Sequence, residues 1–379
     1  DIPKGLILEI GGGSTKIIYY IRRNIIAFET LPFGAVTLTD LFATDNLSPL
    51  EQAQKIEEFF AEQLKKLPWL KEIDPDTRLI GVGGSFRNLG KISRKVKKYP
   101  LEMAHNYVLS TEEFVNIYDM IKVLDIDKKM KVRGLSSGRA DIIPSAFAQM
   151  KAFTDYVQLT DITISGCGLR EGIMFNYASP ITLEKPISDV LSHSLNTLIT
   201  YYNINAAHVE HVTDLSVQLF KQLRVLHKFP RQLLKILKIA AMLYDSGKRI
   251  KYYNYHRHSY YNILNSNLYG VSHRDLTLAA FVVFAHRKDD LVNAEWIKYK
   301  HLIGEEDYDV VRKLGVILNI AVSLDRSMGG VVKTLNCDLL GDSVIMKTEI
   351  EGDAVLEIKN ALGAASEFKK AFGKNLEIL

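Results

Sequence analysis

Three glycine-rich turns are built from similar residues. They are Gly11-Gly12-Gly13-Ser14-Thr15, Gly81-Val82-Gly83-Gly84-Ser85 and Ser165-Gly166-Cys167-Gly168. Each closes an apolar run that reads as a strand. Glycine permits positive φ and lets the backbone approach a ligand closely. Successive backbone N–H groups can then form an anion-binding concavity. A helix that starts at such a turn adds its own attraction for phosphate. The hydroxyls of Ser14, Thr15 and Ser85 would add donors, and Arg87 a guanidinium. The chemistry this points to is phosphate binding, against the plainer reading of three tight turns. A Walker A loop ends in Gly-Lys-Ser/Thr, and none of the three does; the dinucleotide fingerprint does not fit either.

The elements that would position these turns can be read from periodicity. Short β-rich runs at 5–10, 16–21 and 25–30 are separated by turn residues, as in a meander. Ser48, Pro49 and Glu51 resemble a capping box, and apolar residues continue from Ile56 to Leu67 at helical spacing. Leu79–Val82 reads as a buried strand with a helix after it. Helices are expected over Thr111–Leu124, capped by Thr111, and over Arg139–Phe153. A strand over Asp161–Ser165 is followed by a helix from Leu169. Alternating strands and helices over residues 1–180 imply an α/β layer architecture. From Ser188 to Met328 the pattern is almost wholly helical. After Gly329-Gly330 strands return: Val331–Leu335, Ser343–Glu349 and Ala354–Lys359 read as a small sheet, with a helix near 364–372.

Composition excludes several classes. Of 379 residues, 47% are apolar and 24% charged, and the net charge is +4. That is an ordinary globular balance. Two cysteines, Cys167 and Cys337, suggest no disulfide framework, and a reducing cytoplasm is the expected location. The most apolar stretch, Leu276–Ala285, is far short of a membrane span. Basic residues cluster at Arg94, Lys95, Lys97 and Lys98, at Lys128, Lys129, Lys131 and Arg133, and at Lys248, Arg249 and Lys251. Such clusters are usually solvated faces, but a polyanion would need a track of this kind. Aromatic residues seldom interleave them, which argues against nucleic acid.

The motifs in order resemble one family. Leu8-Glu-Ile-Gly-Gly-Gly-Ser-Thr15, Leu31-Pro-Phe-Gly-Ala-Val-Thr37, Gly81-Val-Gly-Gly-Ser-Phe-Arg-Asn-Leu89, Arg139-Ala-Asp-Ile142 and Gly168-Leu-Arg-Glu-Gly172 occur along the chain. This resembles the exopolyphosphatase/guanosine pentaphosphate phosphohydrolase family of the actin-like superfamily. The resemblance implies an actin-like, ribonuclease H-like half-domain over 1–180, an all-α HD-like domain over 187–328 and a small α/β subdomain over 331–379. It implies removal of a terminal phosphate from polyphosphate or guanosine pentaphosphate by a water nucleophile with Mg²⁺ or Mn²⁺, and a homodimer joined through the helical domain. Gly11, Gly12, Gly13, Ser14, Thr15, Gly83, Gly84, Ser85 and Arg87 would bind phosphate, and Glu9 would position metal or water.

Some positions depart from the family pattern. Glu9 stands where the motif has Asp, and Lys16 reverses the charge of a Glu. A half-domain carrying the other phosphate loop and a catalytic glutamate is expected before this chain's first residue. In the helical part, His211, Asp245 and Asp325 match an HD site, with His256, His258 and His286 between them. Tyr244 replaces its second imidazole, so that site is expected to be degenerate. One alternative is a binding protein that senses polyphosphate or guanosine tetraphosphate without hydrolysing it. Another is an ATP-dependent sugar or acetate-type kinase.

Overall fold

The computed structural model describes residues 2–43, 47–179, 187–287 and 293–379. The chain divides into two compact units, Asp1–Pro186 and Ile187–Leu379.

In the first unit, strands β1 (Lys4–Ile10), β2 (Thr15–Ile21) and β3 (Asn24–Leu31) form the meander. Helices α1 (Ala35–Leu41) and α2 (Pro49–Leu64) follow, then β4 (Arg78–Val82), α3 (Gly84–Lys97), β5 (Tyr107–Ser110), α4 (Thr111–Lys122) and α5 (Ile126–Lys129). Helix α6 (Ile143–Val157), strand β6 (Asp161–Ile164) and helix α7 (Leu169–Ala178) complete it. The six strands make one mixed sheet in the order β3-β2-β1-β4-β6-β5. β1, β4 and β6 run parallel; β2, β3 and β5 are antiparallel to their neighbours. Leu6, Leu8 and Ile10 alternate into the core from β1, as do Ile17 and Tyr19 from β2. Helices α2, α4 and α6 pack on one another, and α3 lies on β4, β5 and β6.

Local chemistry explains where the elements start. Ser48 Oγ accepts the Glu51 amide and Glu51 returns a bond to the Ser48 amide, so the capping box at α2 is real. The cap of α4 is Ser110 rather than Thr111: Ser110 Oγ accepts from the Glu113 amide at 3.1 Å, and the Thr111 hydroxyl instead donates to the Leu159 carbonyl at 2.7 Å. α6 begins at Ile143, not Arg139, because Pro144 has no N–H and fits only the first turn. Arg139 belongs to a separate 3₁₀ turn, Ser137–Arg139.

The second unit opens with α8 (Val190–Tyr202), α9 (Ala206–Gln222), α10 (Arg224–His227) and α11 (Leu233–Leu243). It continues with α12 (Tyr255–Asn265), α13 (His273–Ala285), α14 (Asn293–Lys298) and α15 (Asp307–Ser323). Strands β7 (Val332–Leu340) and β8 (Ser343–Ile350), helices α16 (Val355–Leu362) and α17 (Ala365–Phe372), and strand β9 (Asn375–Ile378) finish the chain. β7 packs on α9, and α16 and α17 pack on α15, so this small sheet shares one compact unit with the helices. The stretch Ala354–Lys359 is helix, not strand. Ala354, Glu357, Ala361 and Ala364 are buried at helical spacing, and the third strand is β9, parallel to β8.

Candidate functional site

The parallel strands decide where a ligand can sit. β1, β4 and β6 lie side by side, with Glu9 opposite Val82 and Gly81 opposite Ile164. Their carboxyl ends therefore align, and the three glycine-rich turns emerge next to each other. A crevice outside the carboxyl ends of parallel strands is the usual ligand position in such sheets. A cleft of about 490 Å³ opens there. Glu9, Gly11, Gly12, Gly83, Gly84 and Arg87 line it, joined by Arg139, Arg170 and Glu171.

Backbone geometry prepares the first turn. The Gly11 carbonyl accepts from the Ala35 amide at 2.8 Å, and the Gly12 carbonyl accepts from the Val36 amide at 2.9 Å. These carbonyls thus cap the start of α1. A trans peptide points its N–H opposite to its C=O, so the Gly12 and Gly13 amides are turned away from α1. Neither has an acceptor among the described residues. Residue 34 must be glycine for this contact. A methyl there would lie 2.7 Å from the Gly12 carbonyl oxygen. At the second turn Gly83 has φ +96°, a left-handed conformation that leads into the first turn of α3. The Arg139 guanidinium lies over Gly84 and would overlap any side chain added there.

The two departures at the first turn meet each other. The hairpin register puts Glu9 directly opposite Lys16, and Lys16 Nζ lies 3.2 Å from Glu9 Oε2. Glu9 is a carboxylate already compensated by an ammonium. Glu171, the other acidic residue of the cleft, accepts the Gly168 amide at 2.7 Å. Its pKa is lowered by backbone amides first and by Arg170 and Arg87 after them. It is an ionised helix cap, not a proton donor at neutral pH.

The structure divides the expected phosphate ligands. Glu9, Gly11, Gly12, Gly83, Gly84 and Arg87 line the cleft. Gly13 and Ser14 do not line it. Thr15 is fully buried and donates to Gln149 Oε1 at 2.9 Å. Ser85 is also buried and does not line the cleft. Both face inward because they sit in register with core positions. Arg139 and Arg170 fall inside the sequence motifs, yet the motifs alone do not single them out as ligands. Arg139 ends a short 3₁₀ turn, and sequence spacing gives no sign that it folds back over Gly84.

Several members of the basic clusters are spent locally. Arg94 is buried, with its guanidinium 5.4 Å from the Tyr107 ring centroid, and Lys97 pairs with Glu113. Lys128 pairs with Asp125, and Lys248 with Asp245.

In the second unit the expected histidine is displaced by one turn. His208, not His211, meets Asp325, with Nδ1 to Oδ2 at 2.6 Å. His208 Nε2 is 2.5 Å from the Tyr244 hydroxyl. Burial pushes the Tyr244 phenol strongly up, so it stays protonated as a hydrogen-bonding group. Asp325 also accepts the Gly330 amide at 2.8 Å, and Asp245 accepts Lys248. His211 Nε2 is buried without a partner among the described residues. Helical periodicity places residues 208 and 211 on one face, and only packing selects between them. Among the described residues no group of three or more His, Cys, Asp or Glu is arranged to hold a metal ion. Both cysteines are free thiols, and no described helix is long and apolar enough to cross a membrane.

A mixed sheet with paired glycine turns and three arginines lining one cleft defines an α/β protein of the kind found among phosphate-handling folds. The model described as the Ppx/GppA phosphatase family matches residues 3–179, and that described as Ppx/GppA phosphatase, domain III, matches residues 190–363. The chain belongs to the Ppx/GppA phosphatase family, phosphoanhydride hydrolases of the actin-like superfamily. It is 22% identical over 342 residues to a guanosine-5'-triphosphate,3'-diphosphate pyrophosphatase of Aeromonas hydrophila, covering 88% of this chain and 65% of the relative. It is 23% identical over 292 residues to the protein of that name in Aeromonas salmonicida, covering 75% of this chain and 55% of the relative. The chain thus spans little more than half to two thirds of these relatives. Among solved structures, the Aquifex aeolicus family member matches at a TM-score of 0.41 and 23% identity, over 47% of this chain and 56% of that one. An exopolyphosphatase from Cytophaga hutchinsonii matches at 0.42 and 22%, over 47% and 57%.

Proposed function

We propose that the first unit forms the phosphate-holding wall of a phosphohydrolase that releases the terminal phosphate of inorganic polyphosphate or guanosine pentaphosphate. The observation that carries this is the convergence of Arg87, Arg139 and Arg170 on two glycine turns at the carboxyl ends of β1 and β4. Phosphoryl transfer asks little covalent chemistry of a protein; it asks for position and for charge stabilisation. Here the Gly12 amide and the guanidiniums supply donors to phosphate oxygens. They hold the chain end so that water can attack the terminal phosphorus while its bridging P–O bond breaks. Lys16, held by Glu9, adds a cation at the same turn.

Phosphatases of this family generally require divalent metals. Mg²⁺ or Mn²⁺ needs oxygen ligands. Glu9 is committed to Lys16 and Glu171 to the Gly168 amide. The described residues do not by themselves fit a metal. For the same reason Glu9 is not assigned as the general base.

The Glu9–Lys16 pair favours a second reading, a protein that binds polyphosphate or guanosine tetraphosphate and does not hydrolyse it. One experiment separates the two. Binding of long-chain polyphosphate and of guanosine pentaphosphate is measured beside phosphate release with Mg²⁺, on the protein as its gene encodes it. Release supports the hydrolase. Saturable binding without release assigns the binder. No binding of either ligand sinks both. We further propose that the protein is cytoplasmic and dimeric and that the helical unit is an HD-like domain; sedimentation checks the dimer.

A further inference from the structure

The second unit holds another pocket, of about 420 Å³, between the start of α12, the end of α13, the end of α15 and α16. This volume lies in the range of small-molecule sites. Its wall carries two guanidiniums, Arg287 and Arg326, two imidazoles, His256 and His286, and the amides of Asn319 and Asn360. Among the described residues no carboxylate lines it.

Both arginines are held in place without a described carboxylate cancelling their charges. The Arg287 guanidinium sits 4.7 Å from the ring centroid of Tyr255, which is buried. Arg326 bonds the Tyr252 hydroxyl and pulls that phenol's pKa down. Neither makes an ion pair among the described residues. A divalent cation would meet two positive charges and only two imidazoles. Two uncancelled guanidiniums instead match a dianion, and the fork of each suits phosphate oxygens. A single carboxylate would leave one positive charge in excess.

His286 adds a second requirement. Its ring is 1% exposed, and Nδ1 lies 2.5 Å from the Val283 carbonyl. That carbonyl can only accept, so Nδ1 carries the proton, and Nε2 of the neutral ring keeps a lone pair. Nε2 is buried and has no hydrogen-bond partner among the described residues. A buried acceptor left unmade is costly, and such groups call for a partner. Burial above all lowers the pKa of this ring to about 3, so it stays neutral in neutral solution. The pocket therefore presents cationic donors beside one neutral acceptor.

We infer that this pocket binds a phosphorylated, hydroxyl-bearing small molecule. Arg287 and Arg326 hold its phosphate oxygens, and a ligand hydroxyl donates to His286 Nε2. The site is lined by residues of the second unit and does not depend on the hydrolase reading.

The test is calorimetric titration of the full chain with ribose 5-phosphate, inorganic phosphate and acetate. Arg139→Gln is present throughout, to weaken the first cleft. Ribose 5-phosphate is expected to bind more tightly than phosphate, and acetate not to bind. Arg287→Gln and Arg326→Gln should each raise Kd about tenfold or more, as loss of a charge-assisted hydrogen bond implies. Asn360→Asp keeps both arginines, puts a negative charge in the wall of a half-buried helix position and should also weaken binding about tenfold. Circular dichroism confirms that each variant folds. Ribose 5-phosphate affinity unchanged by all three substitutions would overturn the site. Equal affinity for ribose 5-phosphate and phosphate would overturn the contact to His286.

Discussion

Replacing Lys16 by glutamate tests the cleft most directly. Lys16 and Glu9 face each other across β1 and β2, with side chains 37% and 28% exposed. At that exposure the pair is screened and contributes only about 0.2–1 kcal/mol. In K16E this contribution is lost. Like charges then stand directly opposite, which costs a similar ~0.2–1 kcal/mol. A net loss of about 1 kcal/mol lowers the melting temperature of a unit this size by roughly 2–4 °C. The two carboxylates side by side then form an oxygen-rich pair of the kind Mg²⁺ uses. A ligand that binds only the folded state adds about 2.7 kcal/mol at a hundred times its Kd. Saturating Mg²⁺ should therefore more than restore K16E and leave the wild type nearly unmoved. Scanning calorimetry with EDTA or Mg²⁺ reads this. K16M serves as control, because it loses the pair but gains no carboxylate and should ignore Mg²⁺. If K16E melts with the wild type in EDTA, or if Mg²⁺ lifts both proteins equally, the pairing argument is refuted.

Further outcomes follow from other contacts. Thr15→Val leaves Gln149 Oε1 without its donor in a dry core. It should cost about 1–3 kcal/mol in urea unfolding and leave phosphate affinity alone; a drop in affinity at unchanged stability would return Thr15 to the ligand set. Gly34→Ala drives a methyl against the Gly12 carbonyl. Stability should fall by about 1–3 kcal/mol and phosphate affinity should fall with it; normal binding would show that the turn does not depend on α1. Burial depresses the pKa of His286 to about 3 and also lowers that of His227. The unfolded chain then protonates first, so stability in the second unit is full above the ordinary imidazole value of 6.5 and declines as pH falls from there toward 3. A urea midpoint that stayed flat from pH 7.5 to 5 would contradict this.

Much of the cleft is legible in the sequence because its parts are punctuation. A glycine turn after an apolar strand is visible in one dimension, and parallel strands align such turns without further information. The Glu9–Lys16 pair is legible too, since a four-residue turn from Gly11 to Ser14 sets residue 9 opposite residue 16. Other features are hidden. Thr15 and Ser85 have the right chemistry and the wrong facing, which only the core reveals. Arg139 reaches the site over Gly84 from a distant turn. The four residues of β5 are too few to show a period. In 354–359, apolar residues at Val355, Leu356 and Ile358 imitate a strand, whereas the buried set at 354, 357, 361 and 364 is helical. His208 and His211 share a face, so spacing cannot choose which meets Asp325.

The capping of α1 by the Gly11 and Gly12 carbonyls has an evolutionary consequence. A peptide dipole fixed at its oxygen end by one helix offers its hydrogen end to whatever lies beyond. That offer belongs to the main chain, and no change of side chain away from Gly34 withdraws it. Under the proposed function, anion capture at this turn is inherited with the fold, while carboxylates and ammonium groups around it are free to drift. A lineage can exchange one charge pattern for another at residues 9 and 16 without first surrendering these main-chain donors.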